Sequence, residues 1–561
     1  KTVYVGNRQK LAALVELSAA NAFPAEATVQ EVGGSLALAQ VASDLGLERI
    51  FDATCPSPRA NAAPIGRRLV LAAIHRALAA RSDNSLLSLQ RGYVRSALAD
   101  LLPTPPAGLD NRRMCDTLAR LTAKQIDAIE SAVVRQMVEK EQVALRALAF
   151  DCSNFDSYAG ARNKSRLLRR GHNKSGKPLR AMGLGLLVTA DEGLPLITFA
   201  YPGNENDVTA FGRFLEALDR RCASLDLKLE ATVAADGGNI SRQLLLNLEK
   251  KTHHYVLRLP RRHVKLPPVE SAELPHLSGS LKGKVRARKL ACPVYGVERC
   301  VVDQYSFRMH QRQRPGLERD RKRARRELER LEVLLDRQRH GLRRAKPLTV
   351  SVVKKRVAQA LSREHMADLF QVQVEKGASA PALCFTESAA ALKHLHDHVL
   401  GRTLLVTDRS DWTPEQIVLA SRVQSHNESA FRDIKNPAGI SMLPLRHRGD
   451  AALRAHALVV VLALLLTKVI QRRLKRAGIE APSACATLRQ LTDIRRTRLR
   501  YGPEAPPVLR ALAEGRWIPS ARSEHQNAML RALGLASRHE LGPTSGKELA
   551  PRLPLKQREK R

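Results

Sequence analysis

Aromatic residues and closely spaced cysteines are both scarce in this sequence. Aromatic side chains make up only 4% of the chain, against 44% hydrophobic residues overall. The interior must therefore be built mainly from Leu, Ala and Val, a composition typical of helix-rich globular proteins. The eight cysteines lie far apart and form no Cys-x2-Cys pair, which argues against a zinc ribbon and against a dense disulfide framework.

Long apolar runs are also lacking. The longest, from Ala457 to Leu466, has ten residues. A membrane-crossing helix needs about 20, so this run predicts a buried helix and no membrane partner. The opening residues, KTVYVGNRQKLAALVELSAANAF, contain no apolar core of a signal peptide, so we expect a cytoplasmic, nucleoid-associated protein. The chain begins with Lys rather than Met, which leaves open whether its true start is present.

Acidic residues are too few to balance the basic ones. The chain has 93 Lys and Arg against 55 Asp and Glu, a formal net charge of +38. This excess favours a polyanionic partner such as nucleic acid, with a soluble basic enzyme as the plainer interpretation. A chain of 561 residues is also long enough for several domains.

The spacing of apolar residues predicts a helical N-terminal region followed by an α/β core. Residues 1–144 show helical patterns separated by Pro and Gly, and we interpret them as a separate helical domain that binds DNA. The order after them is three strands, helix, strand, helix, strand, with a hairpin turn at DEGLP. The predicted strands and helices of this part are 146–155, 181–190, 195–201, a helix from Asp207, LKLEATVAAD, SRQLLLNLEK and HYVLRL.

This pattern stops near residue 260 and resumes near residue 400, so we expect the residues between them to stand apart from the core sheet as a lobe of their own. Between them lie basic loops, the short predicted strands KPLTVSVV and FQVQVEK, and one charged helix, GLERDRKRARRELERLEVLLDRQRHGLRR. Leu328, Leu331, Leu335 and Leu342 give that helix an apolar face. The core returns with the strand RTLLVT and with DWTPEQIVLASRVQSHNESAFRDIK. We expect this second stretch to form one helix through Glu428, which Thr413 caps, with Pro414 first and Gln416 completing a capping box. The predicted regions are 1–144, 145–260 (first part of the core), 261–400 (insertion), 401–475 (second part of the core) and 476–561 (helical, with a basic tail).

Two aspartates occupy apolar strands. Asp151 lies between Phe150 and Cys152, and Asp236 ends another strand. An acidic group in such a place is costly unless it is paired or bound to metal, although one Asp alone is more simply a hydrogen-bonded strand-end residue.

Several stretches in the same order resemble the bacterial insertion-sequence transposases of the DDE superfamily, in the branch with a β-rich insertion before the Glu. These stretches are FDCSNF, GHNKSGKPLRAMGLGLLVTADEGLPLITFAYPGNENDVTAF, VAADGGNIS, NESAFRDIK and LRAHALVVVLALLL. They cover roughly residues 145–260 and 400–470. The resemblance implies an α/β fold with an RNase-H-like mixed sheet flanked by helices, an inserted β-rich and helical lobe, and a helical N-terminal domain.

The resemblance also implies that Asp151, Asp236 and Glu428 are catalytic and bind two Mg²⁺ or Mn²⁺ ions. We therefore expect the three carboxylates to converge, with Asp151 and Asp236 on neighbouring central strands. Two hard cations about 4 Å apart serve both ends of an in-line phosphodiester displacement, so one site can cut DNA and join the freed 3′ hydroxyl to target DNA. The implied partners are double-stranded DNA, as terminal repeats and target, and a second copy of the chain in a synaptic homodimer.

The helix with Glu428 carries further candidate DNA contacts. Gln424, Glu428, Arg432 and Lys435 are spaced four, four and three apart and share one face. Related transposases carry Tyr-x2-Arg-x3-Glu-x6-Lys, which Glu428 and Lys435 match, whereas Ser421 and Gln424 replace the Tyr and the Arg. Lys435 is a candidate phosphate contact, or an ordinary helix-end lysine.

A basic linker joins the first two predicted strands. Its density of charge suits DNA phosphates near the cut, and the alternative is a solvated loop. The candidate contacts are Arg162, Lys164, Arg169, Arg170, Lys174 and Lys177.

Two other motifs carry no function. KHLHDHVL, at 393–400, contains three histidines but no further metal ligand nearby in sequence, and the surrounding pattern is an ordinary amphipathic helix. GSLKGK, at 279–284, lacks the spacing and the Ser or Thr of a phosphate-binding P-loop.

Three functions remain open from the sequence. The first is a transposase, the second a catalytically decayed or co-opted DNA-binding protein, and the third a nuclease that only hydrolyses DNA. The retained carboxylates argue against the second, while Ser421 and Gln424 argue weakly for it.

Overall fold

The computed structural model describes most of the chain, and the chain divides into two compact units. One unit comprises residues 1–231 and 423–561, and the other residues 232–422. The described residues are 24–56, 64–78, 86–160, 162–171, 178–190, 192–205, 207–225, 231–236, 240–250, 253–342, 346–437, 439–505, 510, 517–538 and 541.

The N-terminal part of the first unit consists of one strand and seven helices among its described residues. They are β1 (Glu26–Glu31), α1 (Gly33–Asp44), α2 (Leu47–Thr54), α3 (Ile65–Leu78), α4 (Leu89–Val94), α5 (Leu98–Leu101), α6 (Asn111–Arg120) and α7 (Ala123–Lys140). Thr122 and Gln125 form a capping box at the start of α7, which fixes where that helix begins.

Four strands and a helix follow in the same unit. They are β2 (Ala147–Ser157), β3 (Arg169–Arg170), β4 (Arg180–Thr189), β5 (Pro195–Pro202) and α8 (Asp207–Leu225). β4 pairs antiparallel with β2, β3 and β5. The three longer strands agree with the predicted ones within two residues, because their apolar runs end at clear turn signals.

The second unit continues the chain. Its elements are β6 (Thr232–Ala235), α9 (Arg242–Glu249), β7 (His254–Leu259), β8 (Val285–Val294), β9 (Val297–Ser306), α10 (Phe307–Arg339), α11 (Val350–Ala360), α12 (Met366–Leu369), β10 (Phe370–Glu375), β11 (Ala382–Glu387), α13 (Ala389–His394), β12 (Arg402–Thr407) and α14 (Pro414–Arg422).

A mixed five-stranded arrangement organises the second unit. Its order is β6-β7-β12-β9-β8, in which β6 and β7 are parallel and the other neighbours antiparallel. Helix α14 covers it with Ile417 and Val418, which pack against Val256, Val302 and Leu405. Thr413 and Gln416 exchange the two hydrogen bonds of the predicted capping box at the start of α14.

The chain returns to the first unit at α15 (Gln424–Lys435). The remaining elements are α16 (Asp450–Arg476), α17 (Ala484–Thr492), β13 (Arg495–Arg500), β14 (Ile518–Pro519) and α18 (Glu524–Ala532). The predicted tail 543–561 lies outside the described residues.

Helix α16 is the central helix of the first unit. By length and composition it could cross a membrane, but 94% of its most apolar window is buried inside the protein. The buried helix predicted around Ala457 to Leu466 is therefore confirmed. Helices α1, α3 and α6 pack on it, and β1 pairs with β13 near the other end of the sequence, so residues 24–144 are not detached from this unit.

The segment predicted as an insertion differs from expectation in two respects. The hairpin β8–β9 does not stand apart, because β9 pairs along the whole of β12. KPLTVSVV is not a strand, because Thr349 caps a helix that begins at Val350. Residues 307–400 do build apolar clusters of their own, one around Leu328 and Phe370 and another around Leu335 and Val353.

The charged helix is longer at its start and shorter at its end than predicted. It begins at Phe307 and ends at Arg339, and Gly341 follows with a left-handed φ of +69° that suits a helix terminus. Leu331 and Leu335 are buried as expected, but Leu342 lies beyond the helix and is 73% exposed. The predicted α/β class, with a mixed sheet flanked by helices, is confirmed.

Candidate active site

Strand β2 fixes the position of Asp151. Its neighbour Phe150 points into the core, where its ring stacks on Phe214 at 3.8 Å between centroids and lies 5.0 Å from Phe211. Because successive side chains alternate across a strand, Asp151 faces the opposite side, where it is half-buried. Its carboxylate accepts a hydrogen bond of 2.8 Å from the Cys152 amide, which restricts its orientation.

Buried polar side chains dock helix α15 on this strand. The fully buried Asn427 amide donates to the carbonyls of Ala149, at 3.0 Å, and Leu186, at 2.7 Å. Gln424 donates to the carbonyl of Phe150 at 3.1 Å. Gln424 was a candidate DNA contact, but its side-chain amide donates this hydrogen bond to the strand that carries Asp151.

A second anchor holds α15 against the central helix α16. Asp433 and Lys468 form an ion pair of 3.2 Å, and both side chains are at most 10% exposed. The helix that carries Glu428 is thus tied to β2 on one side and to α16 on the other.

Asp151 and Glu428 line the same cavity although they are 277 positions apart in the sequence. The cavity has a volume of about 570 Å³. Arg432 and Lys435 line it as well, and like Glu428 they are exposed. Two carboxylates and two cations predicted from the sequence therefore share one solvent-accessible cavity.

Aromatic rings position the Lys435 ammonium. Its Nζ lies 5.7 Å from the ring centre of Phe155 and 5.8 Å from that of Phe431, within the range of cation–π attraction. The contacts hold a positive charge at the rim of the cavity, where a DNA phosphate can approach.

Asp236 belongs to the second unit and directly follows β6 there. Its side chain is 55% exposed, and Oδ1 lies 3.7 Å from Nη1 of Arg258. Its convergence with Asp151 and Glu428 stays a prediction.

The described candidate DNA contacts of the basic linker are exposed. Arg162 and Lys164 lie in a loop, and Arg169 and Arg170 form β3. Lys174 and Lys177 lie outside the described residues.

Asp450, at the start of α16, holds this linker. Its carboxylate accepts hydrogen bonds from the Ser165 hydroxyl and from the amides of Arg166 and Leu167. Partial burial raises the pKa of Asp450, but the hydrogen bonds to its carboxylate lower it by more, so the pKa lies below its usual value.

The sequence interpretation missed Asn427, Asp433 and Asp450. A signal for Asn427 was present, because it lies three, four and seven residues before Ala430, Phe431 and Ile434, which together form the buried stripe of α15. A polar residue at a position of such a stripe indicates a buried hydrogen bond.

Among the described residues, no group of three or more His, Cys, Asp or Glu side chains lies close enough to hold a metal ion. In KHLHDHVL the rings of His394 and His398 stack, and Nδ1 of His396 lies 3.3 Å from Nε2 of His310.

A match to a known protein family identifies the family of this chain. Residues 159–466, more than half of the chain, match the family described as transposase DDE domain. The chain belongs to this transposase family. The predicted membership of the DDE superfamily is confirmed, while the bacterial insertion-sequence origin stays a prediction. The match includes Asp236 and Glu428 and begins after Asp151.

Two other comparisons add less. The chain is similar to a cryo-EM structure of a piggyBac transposase synaptic complex with hairpin DNA, at 9% identity and a TM-score of 0.38 over 93% of this chain and 90% of that one. No curated protein matches the chain.

Proposed function

We propose that this transposase cuts DNA at the ends of a mobile element and joins the freed ends to target DNA, with Asp151, Asp236 and Glu428 as its catalytic carboxylates. The observation that supports this most directly is the shared cavity of Asp151 and Glu428, flanked by Arg432 and Lys435. A cavity that joins acidic metal ligands to basic phosphate contacts suits a phosphodiester substrate.

The donors at this cavity fit a hard divalent cation. Asp151 and Glu428 offer carboxylate oxygens, the ligands that Mg²⁺ and Mn²⁺ prefer, and both are open to solvent. Two such ions, when bound, activate the attacking oxygen and stabilise the leaving oxygen. Asp236 is the third proposed ligand.

The other residues of the site bind and orient DNA in this proposal. Arg432 and Lys435 neutralise phosphates beside the cut, while the exposed part of the basic linker extends the contact along the duplex. Asn427 and Gln424 act as positioning residues, because they fix the helix that carries Glu428. Terminal-repeat and target DNA, a synaptic homodimer and a cytoplasmic location complete the proposal.

The test replaces each carboxylate by its amide, as Asp151→Asn, Asp236→Asn and Glu428→Gln. Each variant should lose at least 100-fold in cleavage of element-end DNA while binding that DNA with nearly wild-type affinity, because only metal ligation is removed. Glu216→Gln, an exposed glutamate on α8, is the matched control and should cut normally. Normal turnover in any of the three variants would remove that residue from the site.

A readout independent of turnover maps the metal itself. Fe²⁺ with ascorbate and peroxide generates radicals that cut the polypeptide beside a bound ion. Cleavage near residues 151, 236 and 428, competed by Mg²⁺ and reduced in the amide variants, is expected. Cleavage near only two of these positions would exclude the third as a ligand.

A strand-transfer assay with a pre-cut end separates the open functions. A transposase joins the 3′ hydroxyl to target DNA, a hydrolysis-only nuclease cuts without joining, and a decayed DNA-binding protein does neither. We expect joining.

A further inference from the structure

A second large cavity lies at the end of strand β2. Its volume is about 830 Å³. One wall is the loop after β2, residues 158–160 and 162–163, and the other is residues 443–448, which precede α16. We name it the β2-end cavity. Nothing in the sequence interpretation assigned a role to its residues except Arg162.

Hydrogen bonds hold both walls in place. The Ser157 hydroxyl donates to the carbonyl of Leu445 at 3.2 Å and accepts from the amide of Ala159 at 3.3 Å. The Asn163 amide donates to the carbonyl of Gly160 at 3.1 Å, and Asp450 holds the residues that follow. The walls are therefore fixed in position before any ligand binds.

The side chains of this cavity combine one aromatic ring with three cations. Tyr158 is 82% exposed, the highest value among the exposed large hydrophobic side chains of the described residues. Arg162, Arg446 and Arg448 are exposed beside it, against a single acidic lining residue, Asp156. An exposed ring beside three guanidinium groups can stack on the flat face of a ligand while the cations bind its anionic groups.

We propose that the β2-end cavity binds an unpaired nucleotide, with its base stacked on Tyr158 and the neighbouring phosphates bound by Arg162, Arg446 and Arg448. A nucleic-acid strand is the ligand class that presents flat bases and phosphates alternately, and it is held by aromatic stacking combined with cationic contacts. Inside a duplex the base faces are covered by their neighbours, so a stacking ring selects an unpaired base. This inference rests on the proposed function, since it assumes that DNA occupies the neighbouring site.

The chain length limits the distance from the cut. Tyr158 directly follows β2 and lies seven positions beyond Asp151, so at about 3.3 Å per residue their Cα atoms are at most about 23 Å apart. DNA rises by about 3.4 Å per nucleotide, so we expect the unpaired nucleotide within about seven positions of the reacting phosphate.

The test compares short DNA duplexes that end in a 3′ hydroxyl and differ only in one unpaired 2-aminopurine. Binding is measured by fluorescence in Ca²⁺, with the unpaired base placed at successive distances from that end. The wild-type protein should bind best at one position of the unpaired base within about seven nucleotides of that end, about tenfold more tightly than the fully paired duplex. Equal affinity for paired and unpaired DNA, or for every position, would overturn the proposal.

Substitutions at the ring identify the contact. Tyr158→Ala should lose the tenfold preference and the fluorescence change, whereas Tyr158→Phe should keep both, because stacking needs the ring and not the hydroxyl. Phe307→Ala, at an aromatic residue that is 54% exposed in the second unit, is the matched control. Because Tyr158 is exposed, its replacement should leave the thermal unfolding midpoint unchanged, so lost preference does not reflect misfolding. If Tyr158→Ala weakened paired and unpaired DNA equally, the ring would contact duplex DNA instead, and the proposal would fail.

The binding preference is also measured in the variant Glu428→Gln, which should not cut DNA. The preference should persist there, because it depends on the β2-end cavity and not on catalysis. If the wild-type protein fails to cut element-end DNA but keeps the preference for an unpaired base, the β2-end cavity stands although the proposed function fails. If cutting is normal and the preference is absent, only the present inference fails.

Discussion

At the residue scale, buried polar groups determine where the predicted functional residues lie. Asp151 and Glu428 could be predicted from motifs, but their shared cavity depends on Asn427, whose two hydrogen bonds cross from a helix to two strands. The sequence does not specify such pairing, because a polar residue in an apolar stripe shows that a partner exists without showing which backbone groups it bonds. Asp236 lies at the end of its strand, as predicted. Its convergence with Asp151 and Glu428 stays a prediction.

Replacement of Asn427 by Leu should destabilise the first unit by about 1–3 kcal/mol, since it removes two buried hydrogen bonds to strand carbonyls. Urea unfolding followed by circular dichroism measures this change. Asn111→Ala, at an exposed residue that begins α6, is the matched control and should change stability by less than about 0.5 kcal/mol. An equal effect of the two substitutions would show that Asn427 does not anchor the helix.

A buried histidine gives the first unit a pH dependence. His456 lies inside α16, and its Nε2 is 2.9 Å from the carbonyl of Met442, a hydrogen bond that requires a proton on Nε2. Burial lowers its pKa well below the usual value of 6.5, and the charges of Arg76 and His447 lower it further. In the unfolded chain His456 therefore binds a proton near pH 6.5, whereas in the folded chain it stays neutral at that pH.

The stability that His456 contributes is therefore present above pH 6.5 and is lost as the pH falls below it, by up to about 1.4 kcal/mol per pH unit. Urea unfolding at pH 7.5 and pH 5.5 should show a larger loss for the wild-type protein than for His456→Gln, whose amide can still donate to Met442. His525→Gln, at an exposed histidine, should behave like the wild type. Identical pH dependence in all three proteins would contradict the assignment.

At the element scale, local pattern predicted the secondary structure where one signal dominated. The apolar runs of β2, β4 and β5 and the capping box of α14 gave nearly correct bounds. β8 and β9 escaped prediction because their exposed faces are rich in Arg, Lys and Glu, which resembles a basic loop. The predicted continuous helix through Glu428 is two helices, α14 and α15, which break at Val423.

KPLTVSVV shows two signals in competition. Its β-branched residues favour a strand, yet Val350, Val353 and Val357 also recur at helical spacing. The helix prevails because Val353 and Val357 pack on Leu335 of α10. Such packing depends on residues distant in sequence, so propensity alone could not decide it.

The pairing of α15 with α16 depends on a buried ion pair. Asp433→Ala or Lys468→Ala should each cost about 3–5 kcal/mol of stability, because each leaves one buried charge without its partner. The double substitution Asp433→Leu with Lys468→Met should recover most of that loss. Replacement of Glu327 in the exposed pair with Arg330, as Glu327→Ala, should cost less than about 1 kcal/mol. A double variant as unstable as the single ones would show that the pair does not act as a unit.

At the scale of the whole molecule, the net charge of +38 has direct consequences for DNA binding. Each phosphate that a Lys or Arg neutralises releases condensed counterions, so affinity falls with salt in proportion to the number of contacts. The exposed cations of the two cavities, Arg162, Arg432, Lys435, Arg446 and Arg448, supply five such contacts in the proposals above.

Binding to duplex DNA should therefore weaken with a slope of log affinity against log salt of about −4 or steeper, since each contact contributes about −0.9. Fluorescence anisotropy between low and physiological salt measures that slope. Removing two contacts, as Arg446→Gln with Arg448→Gln, should make the slope less steep by about 2. Arg326→Gln with Arg330→Gln, exposed residues on α10, removes the same charge from the second unit and should change it less. A dependence that is flat in the wild type would remove the argument for a polyanionic partner, and equal changes in the two double variants would mean that the overall field of the protein, rather than contacts at the cavities, holds the DNA.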